Sequence, residues 1–304
     1  MITLPPFLKP GDTIAITCPA GYMAAEKASK CIEILRNWKY NVVVGSTLGS
    51  SSLNYFSGSD EERLSELQAM LDDKRISAIL FGRGGYGTGR IIDKIDFKTF
   101  RKHPKWLIGF SDITLLHNHL LSKYKIASIH GPMAALFNDD NATDSTGSLR
   151  TLIAGKKSSY TIDPNANNVF GKATGTLVGG NLALLCNIIG TASDFKTEGR
   201  ILFIEDIGEY IYSLDRMFSQ LHRSGKLKDL AALILGGFTD MKDTERPFGR
   251  NVEEVLQEWA AIAKCPVVFN FPVSHSSRNF ALIQGGKYRL NISAAGTTLK
   301  LLKH

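Results

Sequence analysis

Trp106-Leu107-Ile108-Gly109-Phe110 contains no polar side chain, and it runs straight into Ser111-Asp112-Ile113-Thr114, where a helical pattern begins. A short, unbroken apolar run suits a strand covered on both faces. Ile76–Phe81 is a second such run, and a helical pattern follows it too. Upstream, Thr13–Thr17 is β-branched and apolar and is stopped by Cys18-Pro19-Ala20-Gly21. Ala28, Cys31, Ile32, Leu35 and Trp38 then recur at helical spacing, and Asn41–Val44 reads as the next strand. Ser59 with Glu62 forms a capping box, in which each side chain satisfies the other residue's free N–H. Leu64, Leu67 and Leu71 mark the helix it opens. This alternation predicts an α/β fold, a parallel sheet with helices on both sides.

Downstream, composition turns polar near Asn138. Residues 138–170 read as an exposed connection carrying short structure around Ser148–Ile153. A second unit starts near Gly171, with strands over Gly175–Val178, Ile201–Glu205, Ala231–Leu235 and Pro266–Phe269. Helices are expected from Asn181, near Tyr212–His222 and near Asn251–Ala263. Lys287 to Leu301 alternates like a hairpin with Ala294-Ala295-Gly296 at its turn. The expected division is therefore 1–137, a linker over 138–170, and 171–304.

Length suggests two domains or one large one, and composition is that of a soluble globular protein. The chain has 304 residues, 43% hydrophobic and 21% charged. No apolar run approaches the roughly 20 residues that cross a bilayer. Met1 to Pro10 has no apolar stretch of the signal-peptide kind, so a cytoplasmic location is expected. The four cysteines show no C-x-x-C spacing, which speaks against a zinc site or redox dithiol. The net charge of +7 is scattered, without the basic stripe and interleaved aromatics of a nucleic-acid binder.

Four segments carry candidate chemistry. A strand-to-helix turn at Ser111 can lift its hydroxyl above the sheet edge and aim helix N–H groups at a developing oxyanion. The G-x-S-x-G pattern is not met, since Ile113 stands in place of the second glycine, and Ser111 also suits a helix N-cap. Gly82-Arg83-Gly84-Gly85-Tyr86-Gly87 spells G-x-G-x-x-G and admits a dinucleotide, but it follows a later strand than that fingerprint usually does. Its backbone amides suit an oxyanion equally well. Glu205 and Asp206 end the apolar run Ile201–Ile204, where α/β proteins place functional groups; capping acids of the next helix are the alternative. His275 lies in the small, polar loop Ser274-His275-Ser276-Ser277-Arg278, a position open to catalysis or merely to solvent. His130, before Gly131-Pro132 at a strand end, is expected to line the cleft. His117 and His119 do not share a helix face, so no metal pair is expected. Taken together these supply serine, acid and histidine in an order known for strand-borne triads.

These segments resemble the LD-carboxypeptidases, the muramoyltetrapeptide carboxypeptidases, a family that includes the microcin C immunity peptidases. The resemblance rests on Arg83–Gly87, Gly109–Thr114, His130-Gly131-Pro132, Gly179-Gly180-Asn181-Leu182, Glu205–Glu209, Leu214-Asp215-Arg216-Met217 and the His275 loop, in the family's order over most of the chain. It implies a Rossmann-like, flavodoxin-like N-terminal domain and a smaller, β-rich C-terminal α/β domain of swivelling character. It implies a triad of Ser111, Glu205 and His275, an oxyanion hole from the amides of Gly85 and Asp112, no cofactor or metal, and a homodimer. The implied substrate is a murein tetrapeptide cut before its terminal D-alanine. One departure is Ser274 before the histidine and Ile283-Gln284-Gly285 after it, where the family often has glycine and a Leu-Pro-x-Gly. A free carboxylate calls for a cation, with Arg83 the first candidate and Arg278 the second; Tyr86 and His130 complete the expected substrate contacts. Two rivals stand beside this reading: a peptidase acting on an aminoacyl-nucleotide antibiotic, and a nucleotide-binding oxidoreductase or regulator using Gly82–Gly87 with NAD.

Overall fold

The computed structural model describes residues 1–302; residues 303 and 304, the last two of the expected second unit, lie outside it. The first half supplies strands β1 (Thr13–Thr17), β2 (Asn41–Val44), β3 (Ile76–Phe81), β4 (Trp106–Gly109) and β5 (Ser128–His130). They pair in parallel in the order β2-β1-β3-β4-β5, the flavodoxin-like sequence of strands. Successive residues feed opposite cores, which is why β3 and β4 are apolar throughout. Ala78, Leu80, Trp106 and Ile108 pack with Cys31 and Leu35 of the Ser29–Asn37 helix. Ile79, Phe81 and Leu107 pack with Leu67 and Leu71 of the Asp60–Asp72 helix. The Ser59–Glu62 capping box is formed in both directions.

The segment expected as a linker is structured. Its residues make a helix, Thr143–Ile153, and a strand, β6 (Ser159–Ile162). The helix buries Leu149, Leu152 and Ile153 in the core beneath β3 and β4, while Thr143, Asp144, Gly147 and Arg150 face solvent. Part of the polar composition thus marks an exposed helix face, and the rest, in 154–158 and 163–170, lies in the connections on either side of β6.

The second half adds β7 (Gly171–Asn181), β8 (Ile201–Ile207), β9 (Ala232–Thr239), β10 (Val267–Val268), β11 (Leu282–Gln284), β12 (Lys287–Ser293) and β13 (Gly296–Leu301). Seven strands form a mixed sheet in the order β10-β9-β8-β7-β12-β13-β6, with the β12–β13 hairpin closing at Ala294-Ala295. β11 leaves this sheet and pairs antiparallel with β5, Leu282 beside His130 and Gln284 beside Ser128. One apolar core spans both sheets, joining Ile113 and Leu116 to Leu182, Leu202 and Ile204. At that seam the Asn181 amide donates to Thr114 Oγ1 at 3.0 Å, and Asn118 Nδ2 donates to the Gly179 carbonyl at 3.2 Å. The end of β4 is thereby set against the ends of β7 and β8. Among the described residues, no helix is long and apolar enough to cross a membrane.

Candidate active site

β4 ends in a turn that holds Ser111 at φ +61, the left-handed region that side-chain-bearing residues avoid. The helical turn Ser111–Ile113 starts at Ser111 itself, and its N-cap, Phe110, makes no side-chain cap bond. Ser111 is therefore not a capping residue. Its side chain lines a cavity of about 390 Å³ together with His275, Gly84, Gly85 and Arg83.

The glycine loop after β3 packs directly onto this turn. A Cβ on Gly84 would stand 2.8 Å from Ser111 Cβ and 3.3 Å from the Asp112 nitrogen, so no larger residue fits there. Gly85 follows at φ +102. Within the described residues, the amides of Gly85 and Asp112 donate to no protein acceptor. The Asp112 carboxylate is buried and accepts from the Thr88 amide at 2.8 Å, tying loop and turn together. Burial pushes this carboxyl up, against the pull of the Thr88 hydrogen bonds. The same bond bears on the dinucleotide alternative. The helix after the loop is only Thr88–Ile91, and its first amide is already occupied by an internal carboxylate where a pyrophosphate would need it.

Glu205 ends the apolar run of β8, fully buried, and its Oε2 lies 2.6 Å from His275 Nδ1. With Nδ1–H donating to the carboxylate, Nε2 is left as the acceptor. Burial alone would lower the His275 pKa; the charge and hydrogen bond of Glu205 outweigh it, and the net shift is upward. The Phe110 ring meets the imidazole edge-on, 4.8 Å between centroids. Ser111 and His275 line the same cavity without a direct hydrogen bond between them. Asp206 beside Glu205 accepts from Asn181 Nδ2 at 2.7 Å and from the Ala183 amide at 3.1 Å; burial pushes its carboxyl up to about 7.

The loop bearing His275 is pinned from two directions. It crosses β9 at Gly236, where a Cβ would be 2.2 Å from the Val273 carbonyl oxygen. On its other side, Ser145 of the Thr143–Ile153 helix donates to the Ser277 carbonyl at 2.6 Å and accepts from the Asn279 amide at 2.8 Å. Asn279 Oδ1 accepts from the Ser274 amide at 3.3 Å and faces His130 Nε2 at 3.1 Å.

His130, expected to line the cleft, is fully buried behind it, against Phe203 and Phe110, and burial pushes its pKa down to about 3. Arg83 does reach the cavity. Arg278 borders a separate small cavity with Gly237 and Pro272, and Tyr86 leans on Phe56, outside the lining. His117 and His119 bond to the Gly109 carbonyl and to Ser193, away from each other. No group of three or more His, Cys, Asp or Glu suited to a metal ion occurs among the described residues. Sequence reasoning missed Lys27, Tyr22, Met23 and Ala24, which wall the cavity from the loop after β1. Their signal was position: the carboxyl end of a parallel strand, where open α/β sheets bind ligands.

Known proteins are similar to this chain in sequence and fold. Models of the LD-carboxypeptidase N-terminal and C-terminal domains match residues 14–131 and 174–290. The chain is 36% identical over 291 residues to a probable murein peptide carboxypeptidase of Bacillus subtilis strain 168, covering 94% of this chain and 91% of that protein. The muramoyltetrapeptide carboxypeptidase of Oxalobacter formigenes superposes with a TM-score of 0.86 at 29% identity, covering 96% of this chain and 99% of that one. The microcin C7 self immunity protein MccF, in complex with aspartyl sulfamoyl adenosine, shares the fold with a TM-score of 0.87 at 24% identity and covers 99% of each chain.

Proposed function

We propose that this chain, which belongs to the LD-carboxypeptidase family and so to the peptide hydrolases, removes terminal D-alanine from murein tetrapeptides with Ser111 as nucleophile. The observation that carries the reading is the Glu205–His275 bond at the wall of a cavity into which a strained turn delivers Ser111. Glu205 fixes the tautomer that leaves His275 Nε2 free to take the Ser111 proton. Catalytic hydrogen bonds of this kind tighten when substrate fills the site, so the serine–imidazole bond forms in the complex. Ser111 Oγ attacks the carbonyl carbon of the last peptide bond, and the amides of Gly85 and Asp112 receive the oxyanion. His275 returns the proton to the departing nitrogen of D-alanine. Water, deprotonated by the same imidazole, then frees the acylated serine and the shortened peptide. The murein substrate is carried over from the relatives' names and the family resemblance, and that resemblance also supplies the proposed role in cytoplasmic recycling of wall peptides and the proposed homodimer.

The test is incubation with murein tetrapeptide, reading free D-alanine by chromatography, wild type beside Ser111→Ala. Release should fall by about 10³-fold or more in the variant. Equal release from both removes Ser111 from the mechanism, and release from neither removes the substrate.

A further inference from the structure

The cavity at Ser111 has a charge imbalance that the proposed chemistry leaves unused. Its wall carries two cations, Lys27 and Arg83, and no Asp or Glu. Neither cation forms an ion pair among the described residues. Glu205, the acid nearest in function, is buried and committed to His275. Both cations stand on fixed backbone. Arg83 precedes Gly84, which abuts Ser111, and its Nη1 donates to the Tyr22 carbonyl at 3.1 Å, leaving other N–H groups free. Lys27 lies on the turn Ala25–Ala28, held where Asn138 Nδ2 donates to the Lys27 carbonyl at 2.5 Å and Gly49 donates to the Met23 carbonyl at 2.8 Å. Both side chains are exposed and so screened by salt, and cations lining a concave wall still raise the local concentration of anions.

The carboxylate of a peptide cut at its last bond lies about one residue, ~4 Å, beyond the attacked carbonyl. We propose that Lys27 acts with Arg83 to hold that carboxylate, which makes Lys27 a specificity-determining residue for substrates with a free C-terminus. The assignment rests on the carboxypeptidase reading above and adds the group that enforces it. An arginine fork offers two parallel donors to a carboxylate, and the lysine adds a point charge from the nearby turn Ala25–Ala28.

Binding in the full-length Ser111→Ala chain tests this apart from turnover. Calorimetry compares murein tetrapeptide ending in a free carboxylate with the same peptide ending in D-alaninamide. With Lys27 present, the free acid should bind about 10–100-fold tighter than the amide. Lys27→Met should erase most of that ratio by weakening the acid alone, and Lys27→Arg should restore it. Equal affinity for acid and amide, binding of neither, or an equal loss for both in Lys27→Met overturns the assignment. Failure of D-alanine release with the acid–amide ratio intact would instead count against the function and leave the carboxylate site standing.

Discussion

At φ +61 Ser111 carries a β-carbon where glycine would be at ease, a cost on the order of 1 kcal/mol. Ser111→Gly should relax the turn and raise stability to chemical denaturation by about 0.5–1 kcal/mol while releasing no D-alanine. Ser111→Ala should be as inactive without that gain; equal stability of the two variants would show that the turn stores no strain. His275 titrates above its ordinary value of 6.5 because the charge of Glu205 overcomes the downward pull of burial. On the proposed mechanism His275 must be neutral to act as base, so kcat/KM should rise with pH through that raised pKa. Glu205→Gln removes the charge and leaves burial, which moves the rise to lower pH, and the rate should fall by about 10⁴-fold. A pH profile whose acid limb stays in place or moves upward would contradict the triad. At this scale the sequence was legible only in combination. Ser111, Glu205 and His275 each had a plain alternative, and it was their order along the chain, with the family resemblance, that favoured the catalytic one. The positive φ that distinguishes Ser111 from a capping serine is a property of packing and leaves no mark on composition.

Among the elements, β3 and β4 were readable because both faces are apolar, and the Ser59–Glu62 box because its chemistry is local. The Thr143–Ile153 helix was readable only as short structure around Ser148–Ile153, since its buried stripe is only Leu149, Leu152 and Ile153 among polar neighbours. It turns out to brace the loop that carries His275. Ser145→Ala removes the bonds to the Ser277 carbonyl and the Asn279 amide and should loosen the loop that aims His275. The expected outcome is a kcat about tenfold lower, KM within about twofold, and about 1–2 kcal/mol lost in denaturant unfolding. A change confined to KM would mean that the helix shapes the pocket rather than the base.

For the molecule as a whole, the alternation of strands and helices announced an α/β fold, and the strand order β2-β1-β3-β4-β5 realises it. What the sequence concealed is that the halves are interlaced. Leu282–Gln284 completes the first sheet, β6 borders the second, and a single core runs between them. A strand of three residues carries too little periodicity to announce which sheet it joins. Interlacing also positions the candidate site, because Ser111 comes from one sheet and Glu205 from the other, while the His275 loop passes between them.

The antiparallel seat of β11 on β5 has a bearing on synthesis. A chain emerging from the ribosome finishes β1 to β5 at His130, yet the outer edge of β5 keeps unpaired backbone until Gln284 has been made. Such an open edge invites wrong partners. Translation speed and chaperone cover over that long interval therefore matter more to the yield of native protein than the stability of the first half alone would suggest.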